Sequence, residues 1–157
     1  MRFFSLQIFI IAIGILVDRI SKLFFLRHFD QVTVFKNRFF ILDLHYTLNT
    51  GFAFSIPAPP FIILIITFFI LVIVLIWWGM ALYRQRPESF FFAAIIGGAI
   101  GNVVDRVLYK GVIDWIEIQW VFYSWSSFNI ADIMIVIGVT GLLLLSFFSK
   151  KESSVCN

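Results

Sequence analysis

Four apolar runs divide the chain, and its polar residues gather at the ends of those runs. Residues 3–17 (FFSLQIFIIAIGILV) carry no charge; Asp18, Arg19 and Lys22 interrupt the pattern and Leu23 to Leu26 resume it. Residues 61–82 hold no charge over 22 positions, and about 20 suffice to cross a bilayer core. Pro60 suits a helix start, and Trp77, Trp78 and Tyr83 suit an interface. A Gly-rich third run and a fourth run complete the set, so the pattern predicts transmembrane helices over about 3–26, 61–82, 89–106 and 131–149. Residues 27–59 differ. Phe39, Ile41, Leu44, Tyr46 and Leu48 alternate in part, which favours short strands. Leu48-Asn49-Thr50-Gly51 signals a turn, and Pro57, Pro59 and Pro60 end any strand. The connection 107–130 is apolar enough to lie on or in the outer leaflet. The expected fold is a mainly α membrane protein: one domain of four transmembrane helices with a small β-containing extracytoplasmic portion, segments 27–59 and 107–130.

Composition strengthens this reading. The 157 residues are 61% hydrophobic and 13% charged, against about 45–50% and roughly 25% in soluble domains. A mean hydropathy of +1.00 agrees, so a soluble globular domain is excluded. A secretory signal peptide would end its apolar stretch in small residues at a cleavage site; here DRISK follows instead. The net charge of +3 does not call for nucleic acid. The lone cysteine, Cys156, has no disulfide partner, and His28 and His45 lack metal-ligand spacing. No metal and no organic cofactor is expected. Arg2, Arg84, Arg86, Lys150 and Lys151 fall on one side of the membrane. Arg27, Lys36, Arg38 and Lys110 fall on the other, mixed with Asp30, Asp43, Asp114 and Glu117. The bias in basic residues predicts both termini in the cytoplasm.

That topology carries Asp18, Asn49, Asp105, Asp114 and Asp132 to the outer level of the membrane, although they are distant in sequence. Ionisable groups inside such segments are costly and point to function. Asp18 and Lys22 are four apart on one helix face. They either neutralise each other at the boundary or support a site there. Asn102 and Arg106 also share a face, and Asp105 and Arg106 are placed to brace a neighbouring loop. Asn129 is positioned to cap the fourth helix, with Asp132 in its first turn. Capping does not explain Asp114. Gly97 and Gly101 have the GxxxG spacing that lets another helix approach closely.

Eighteen residues separate Asp114 from Asp132, enough chain to turn back and bring them face to face. Two close carboxylates share a proton, so one serves as general base for water and the other as general acid. A proton relay uses the same residue types. Two rival classes therefore stand: a small proton-coupled exporter, which needs a carboxylate near mid-membrane, and an assembly partner packing through Gly97 and Gly101. The long spans hold no charge at their centres, which weighs against the exporter.

The ordered set Asp18/Lys22, Asn49-Thr50-Gly51-Phe52-Ala53-Phe54, GGAIGNVVDRVLYKGVIDW and FNIAD resembles lipoprotein signal peptidase, the signal peptidase II family, along the whole chain. The resemblance implies an intramembrane aspartic endopeptidase that removes signal peptides from prolipoproteins, cutting just before a diacylglyceryl-modified cysteine. It implies Asp114 and Asp132 as the catalytic pair, supported by Asp18, Lys22, Asn49, Gly51, Asn102, Asp105, Arg106 and Asn129. Trp115 stands where the family has Phe. A monomer in contact with membrane phospholipid is expected, in a bacterial cytoplasmic (inner) membrane, with the site toward the outer face. The apolar stretches 39–42, 52–54 and 115–122 are expected to cradle lipid and peptide. A charged substitution at Phe54 or Trp115 is then expected to weaken substrate binding more than folding.

Overall fold

A computed structural model describes residues 2–28, 31–52, 56–120, 123–124 and 127–155. Asp30, Ala53, Phe54 and Cys156 lie outside the described residues. The elements run α1 (Arg2–His28), β1 (Val32–Lys36), β2 (Phe40–Asn49), α2 (Pro60–Tyr83), α3 (Glu88–Tyr109), β3 (Val112–Trp120), β4 (Tyr123–Ser124) and α4 (Ile130–Val155). Among the described residues four helices are long and apolar enough to cross a membrane: Phe3–Arg27, Pro60–Tyr83, Glu88–Tyr109 and Ile130–Phe148. The protein is thus multi-pass, mainly helical, with a small sheet, as the hydropathy pattern predicts.

The glycine-rich helix is the central one. α3 packs against α1, α2 and α4 and buries Ala93, Ile95, Ile96, Gly97, Gly98, Gly101, Asn102 and Asp105. By contrast α2, the most apolar run, buries only Ile63 and Ala81 and, apart from the side it packs on α3, leaves most of its residues exposed. Small residues set this order, because in hydrocarbon helices associate by close packing rather than by hydrophobic burial. A Cβ at Gly98 would lie 2.3 Å from the Ala131 carbonyl oxygen of α4, so only glycine admits this approach. At the end remote from the sheet a polar chain pins three helices. Trp78 Nε1 donates to Gln7 Oε1 (2.7 Å) and Gln7 Nε2 donates to Ser89 Oγ (2.9 Å).

The sheet is antiparallel in the order β1-β2-β3-β4. β2 is one ten-residue strand with a bulge between Leu44 and Thr47, beyond which Thr47 faces Asp114 and Asn49 faces Val112. The connection 107–130, for which the sequence predicts only proximity to the leaflet, holds a nine-residue strand, β3. Its apolar run lacks clean alternation, which hides the strand. Lys110 closes α3 in the left-handed region (φ 62°) and turns the chain directly into β3. After β4 the chain returns along β3: Phe128 N–H donates to Ile116 O (2.9 Å), and Ile116 N–H donates to Phe128 O (3.0 Å). This bridge brings Asn129, the residue before α4, beside Asp114.

Candidate active site

Two buried polar groups adjoin each other where α1, α3 and α4 meet the sheet. The first is an ion cluster. Lys22 is fully buried, and its ammonium meets Asp18 Oδ2 at 2.8 Å, Asp105 Oδ2 at 2.9 Å and Asn102 Oδ1 at 3.0 Å. Three acceptors match the three N–H groups an ammonium carries. Arg19 pairs with Asp105 Oδ1 and donates to Tyr109 Oη (2.9 Å). Two cations thus balance Asp18 and Asp105. These carboxylates also hold backbone: Asp18 Oδ1 accepts from Ala131 N–H (2.9 Å), and Asp105 Oδ2 accepts from Ile113 N–H (3.2 Å). Asp18 therefore fixes the start of α4, and Asp105 fixes the start of β3. Gly101 makes room for this, since a Cβ there would lie 2.6 Å from Asp18 Oδ2.

The second group holds Asp114 and Asp132. Asn129 links them. Its Nδ2 donates to Asp114 Oδ1 at 2.7 Å, while its backbone N–H donates to Asp132 Oδ2 at 3.2 Å. In return Asn129 Oδ1 accepts from Asp132 N–H at 3.0 Å, a reciprocal cap at the helix start. Asn102 Nδ2 donates to Asp132 Oδ1 (2.8 Å) and Asn49 Nδ2 to Asp114 Oδ2 (3.3 Å). Asn49 is itself fixed by a turn in which its Oδ1 accepts from Gly51 N–H (3.0 Å). Arg106 donates to Gly51 O (3.4 Å) and lies within electrostatic range of Asp132, Asp114 and Asp105.

Asp114 is 1% exposed. Burial and the neighbouring Asp132 charge push its carboxyl from the ordinary 3.8 up to about 7, against the opposing pull of Asn129 and Asn49. Asp132 occupies the first turn of α4, where negative charge is favoured. Two aspartates of unlike environment, each held by amides, can divide proton donation and acceptance between them. Among the described residues no group of three or more His, Cys, Asp or Glu is arranged for a metal ion.

The structure brings together all ten residues singled out in the sequence. Asp18 and Lys22 both neutralise each other and support the neighbouring group. Asn129 both caps α4 and holds Asp114. Sequence reasoning passed over Arg19, whose signal was a third charge inside the first span, and over the backbone amides of Ala131 and Ile113. It treated Gly101 as a packing residue only. Asp43, counted only among the charges on the outer side of the membrane, is buried and accepts from Gln31 Nε2 (3.0 Å). Trp115 stacks on Phe25 with ring centroids 4.3 Å apart and 10° between planes. Its first role is to dock the sheet on α1, so a charge there disturbs packing before it disturbs any ligand.

Fold and site define the class: a multi-pass membrane protein with two aspartates in a buried, amide-lined socket at one end of its bundle. The family described as Signal peptidase (SPase) II matches residues 10–148. The lipoprotein signal peptidase of Pelagibacter ubique is 33% identical over 160 residues, 98% of this chain and 95% of that one. That of Clostridium novyi is 33% identical over 157 residues, covering 94% and 99%. A solved structure described as a bacterial membrane enzyme aligns with TM-score 0.76 at 25% identity, over 95% of this chain and 91% of that one. The chain belongs to the signal peptidase II family, and it is a protease of that family.

Proposed function

We propose that Asp114 and Asp132 are the catalytic pair of an aspartic endopeptidase that removes prolipoprotein signal peptides, cutting on the N-terminal side of a diacylglyceryl-modified cysteine. The observation that carries this reading is the Asn129 link, which holds two sequence-distant carboxylates in one socket. Charge balance supports it. Lys22 and Arg19 offset Asp18 and Asp105, which leaves Arg106 to face the pair. One shared proton then leaves one negative charge opposite one positive charge.

The elevated Asp114 carboxyl holds that proton, and Asp132, at the start of α4, is the carboxylate. Asp132 accepts a proton from water as the water oxygen attacks the scissile carbonyl, and Asp114 donates its proton to the carbonyl oxygen. The tetrahedral intermediate collapses by breaking the C–N bond; the proton taken by Asp132 passes to the cysteine nitrogen, and the hydroxyl proton returns to Asp114. Asn49, Asn102 and Asn129 orient the carboxyls. Asp18, Lys22 and Asp105 hold the frame beneath them, and Arg106 with Gly51 positions the turn that carries Asn49.

The whole chain acts as one peptidase unit, a monomer embedded in phospholipid of the bacterial inner membrane. Both termini face the cytoplasm and the socket faces outward, in keeping with the distribution of basic residues. This depth suits a substrate whose signal helix spans the bilayer and whose lipid stays in the outer leaflet. The test is cleavage of a diacylglyceryl-modified prolipoprotein by purified protein, with Asp114→Asn and Asp132→Asn alongside. Both folded variants should lose cleavage; retention by either removes that residue from the chemistry.

A further inference from the structure

A recess of about 220 Å³ opens between the start of α2 and the end of α3. Thr50, Arg106 and Lys110 supply its polar lining; Phe61, Ile63 and Leu64, from the first turns of α2, supply its apolar lining. α2 and α3 are successive spans joined by a short turn, so the start of one and the end of the other share one membrane level, that of the headgroups. Lys110 is exposed there, as is Phe61, so the recess opens outward.

The charges are unequal. Arg106 is within range of Asp132, Asp114 and Asp105. Lys110 forms no ion pair among the described residues. Its backbone is fixed: it ends α3 in a left-handed conformation, with its N–H donating to Arg106 O at 3.2 Å, and its side chain lines the recess. Arg106 keeps only one hydrogen bond among the described residues, the long one to Gly51 O, so most of its five N–H donors are available. Two cations and a hydroxyl above an apolar wall match a ligand with a phosphate head and a hydrocarbon tail. A zwitterionic headgroup would bring its own cation to Lys110 and gain less.

The geometry points to this recess as a binding site for an anionic glycerophospholipid, with the phosphodiester between Lys110 and Arg106 and an acyl chain along Phe61 and Leu64. It goes beyond the protease reading and rests on that reading only for the membrane level. A diacylglyceryl-cysteine carries no phosphate, so this lipid is separate from the substrate. The seated headgroup braces the Thr50–Gly51 turn, and that turn holds Asn49 against Asp114.

Native mass spectrometry of the detergent-solubilised full chain, titrated with phosphatidylglycerol or with phosphatidylcholine of the same acyl chains, tests the assignment. Wild type should retain phosphatidylglycerol preferentially. Lys110→Gln should weaken that binding about fivefold, the order for one basic side chain at an anionic lipid surface, and leave phosphatidylcholine unchanged. Lys110→Arg should restore it. Equal retention of the two lipids by wild type overturns the site, as does an unchanged preference in Lys110→Gln. Inorganic phosphate that competes as well as the whole lipid overturns the acyl-chain half. The readout is bound lipid, so a protein that keeps this preference but cleaves nothing refutes the protease reading alone.

Discussion

Asp114→Asn should make the protein more stable at pH 8 while abolishing its activity, because the socket disfavours the charged form of the group. In the unfolded chain Asp114 titrates near 3.8, and in the folded chain near 7. Below 3.8 both states hold the proton. Between 3.8 and about 7 the folded state alone holds it, so stability falls as pH rises; above about 7 the loss is complete. At 1.36 kcal/mol for each pH unit, the full loss is of order 4 kcal/mol. The asparagine variant is neutral throughout and escapes this loss. It forfeits one accepted hydrogen bond, the longer one from Asn49 Nδ2 at 3.3 Å, at a cost of about 1 kcal/mol. At pH 5 the wild type has given up about 1–2 kcal/mol by the same slope, so the two proteins should be near parity. At pH 8 the variant should lead by about 3 kcal/mol. Thermal or denaturant midpoints in detergent at the two pH values measure this, and the difference between the proteins cancels the titration of groups that do not interact with Asp114. A variant with the same pH slope as wild type, or less stable at pH 8, would refute the argument that burial and Asp132 hold the Asp114 proton.

Three further outcomes follow from the same geometry. Turnover of a prolipoprotein should fall about tenfold per pH unit above roughly pH 7, as the shared proton is lost; a flat profile to pH 9 contradicts this. Gly101→Ala would set a Cβ 2.6 Å from Asp18 Oδ2 and displace Asp18 from the Ala131 amide. It should cost about 1–3 kcal/mol and lower kcat; an unchanged midpoint and kcat would show that Asp18 yields freely. Asn129→Ala should lose the cap, about 0.5–2 kcal/mol, and also the grip on Asp114. Asn129→Ser should restore the cap and the stability without restoring turnover, and recovery of both would make Asn129 a capping residue only.

The spans are legible because lipid leaves a long uncharged run one solution, a helix that satisfies its own backbone. The site is legible in part for the reverse reason: Asp18, Lys22, Asp105 and Asp132 are too costly inside such helices to be incidental. What stays hidden is mutual. No local pattern says that Phe128 bridges Ile116, yet that bridge sets Asn129 beside Asp114 and turns a capping residue into the link between two carboxylates. Nor does the run Val112–Trp120 declare itself a strand, because one face of it packs against α1 through Trp115 and Phe25 and apolar residues fall on both sides. Arg19 and Gly101 matter only through partners brought in by the fold. These contacts share one consequence. The ion cluster pairs two cations with two carboxylates, and it fixes the starts of β3 and α4 through the amides of Ile113 and Ala131. In the proposed mechanism Asp114, whose carboxyl burial and the Asp132 charge push up to about 7, is the group that starts with the shared proton.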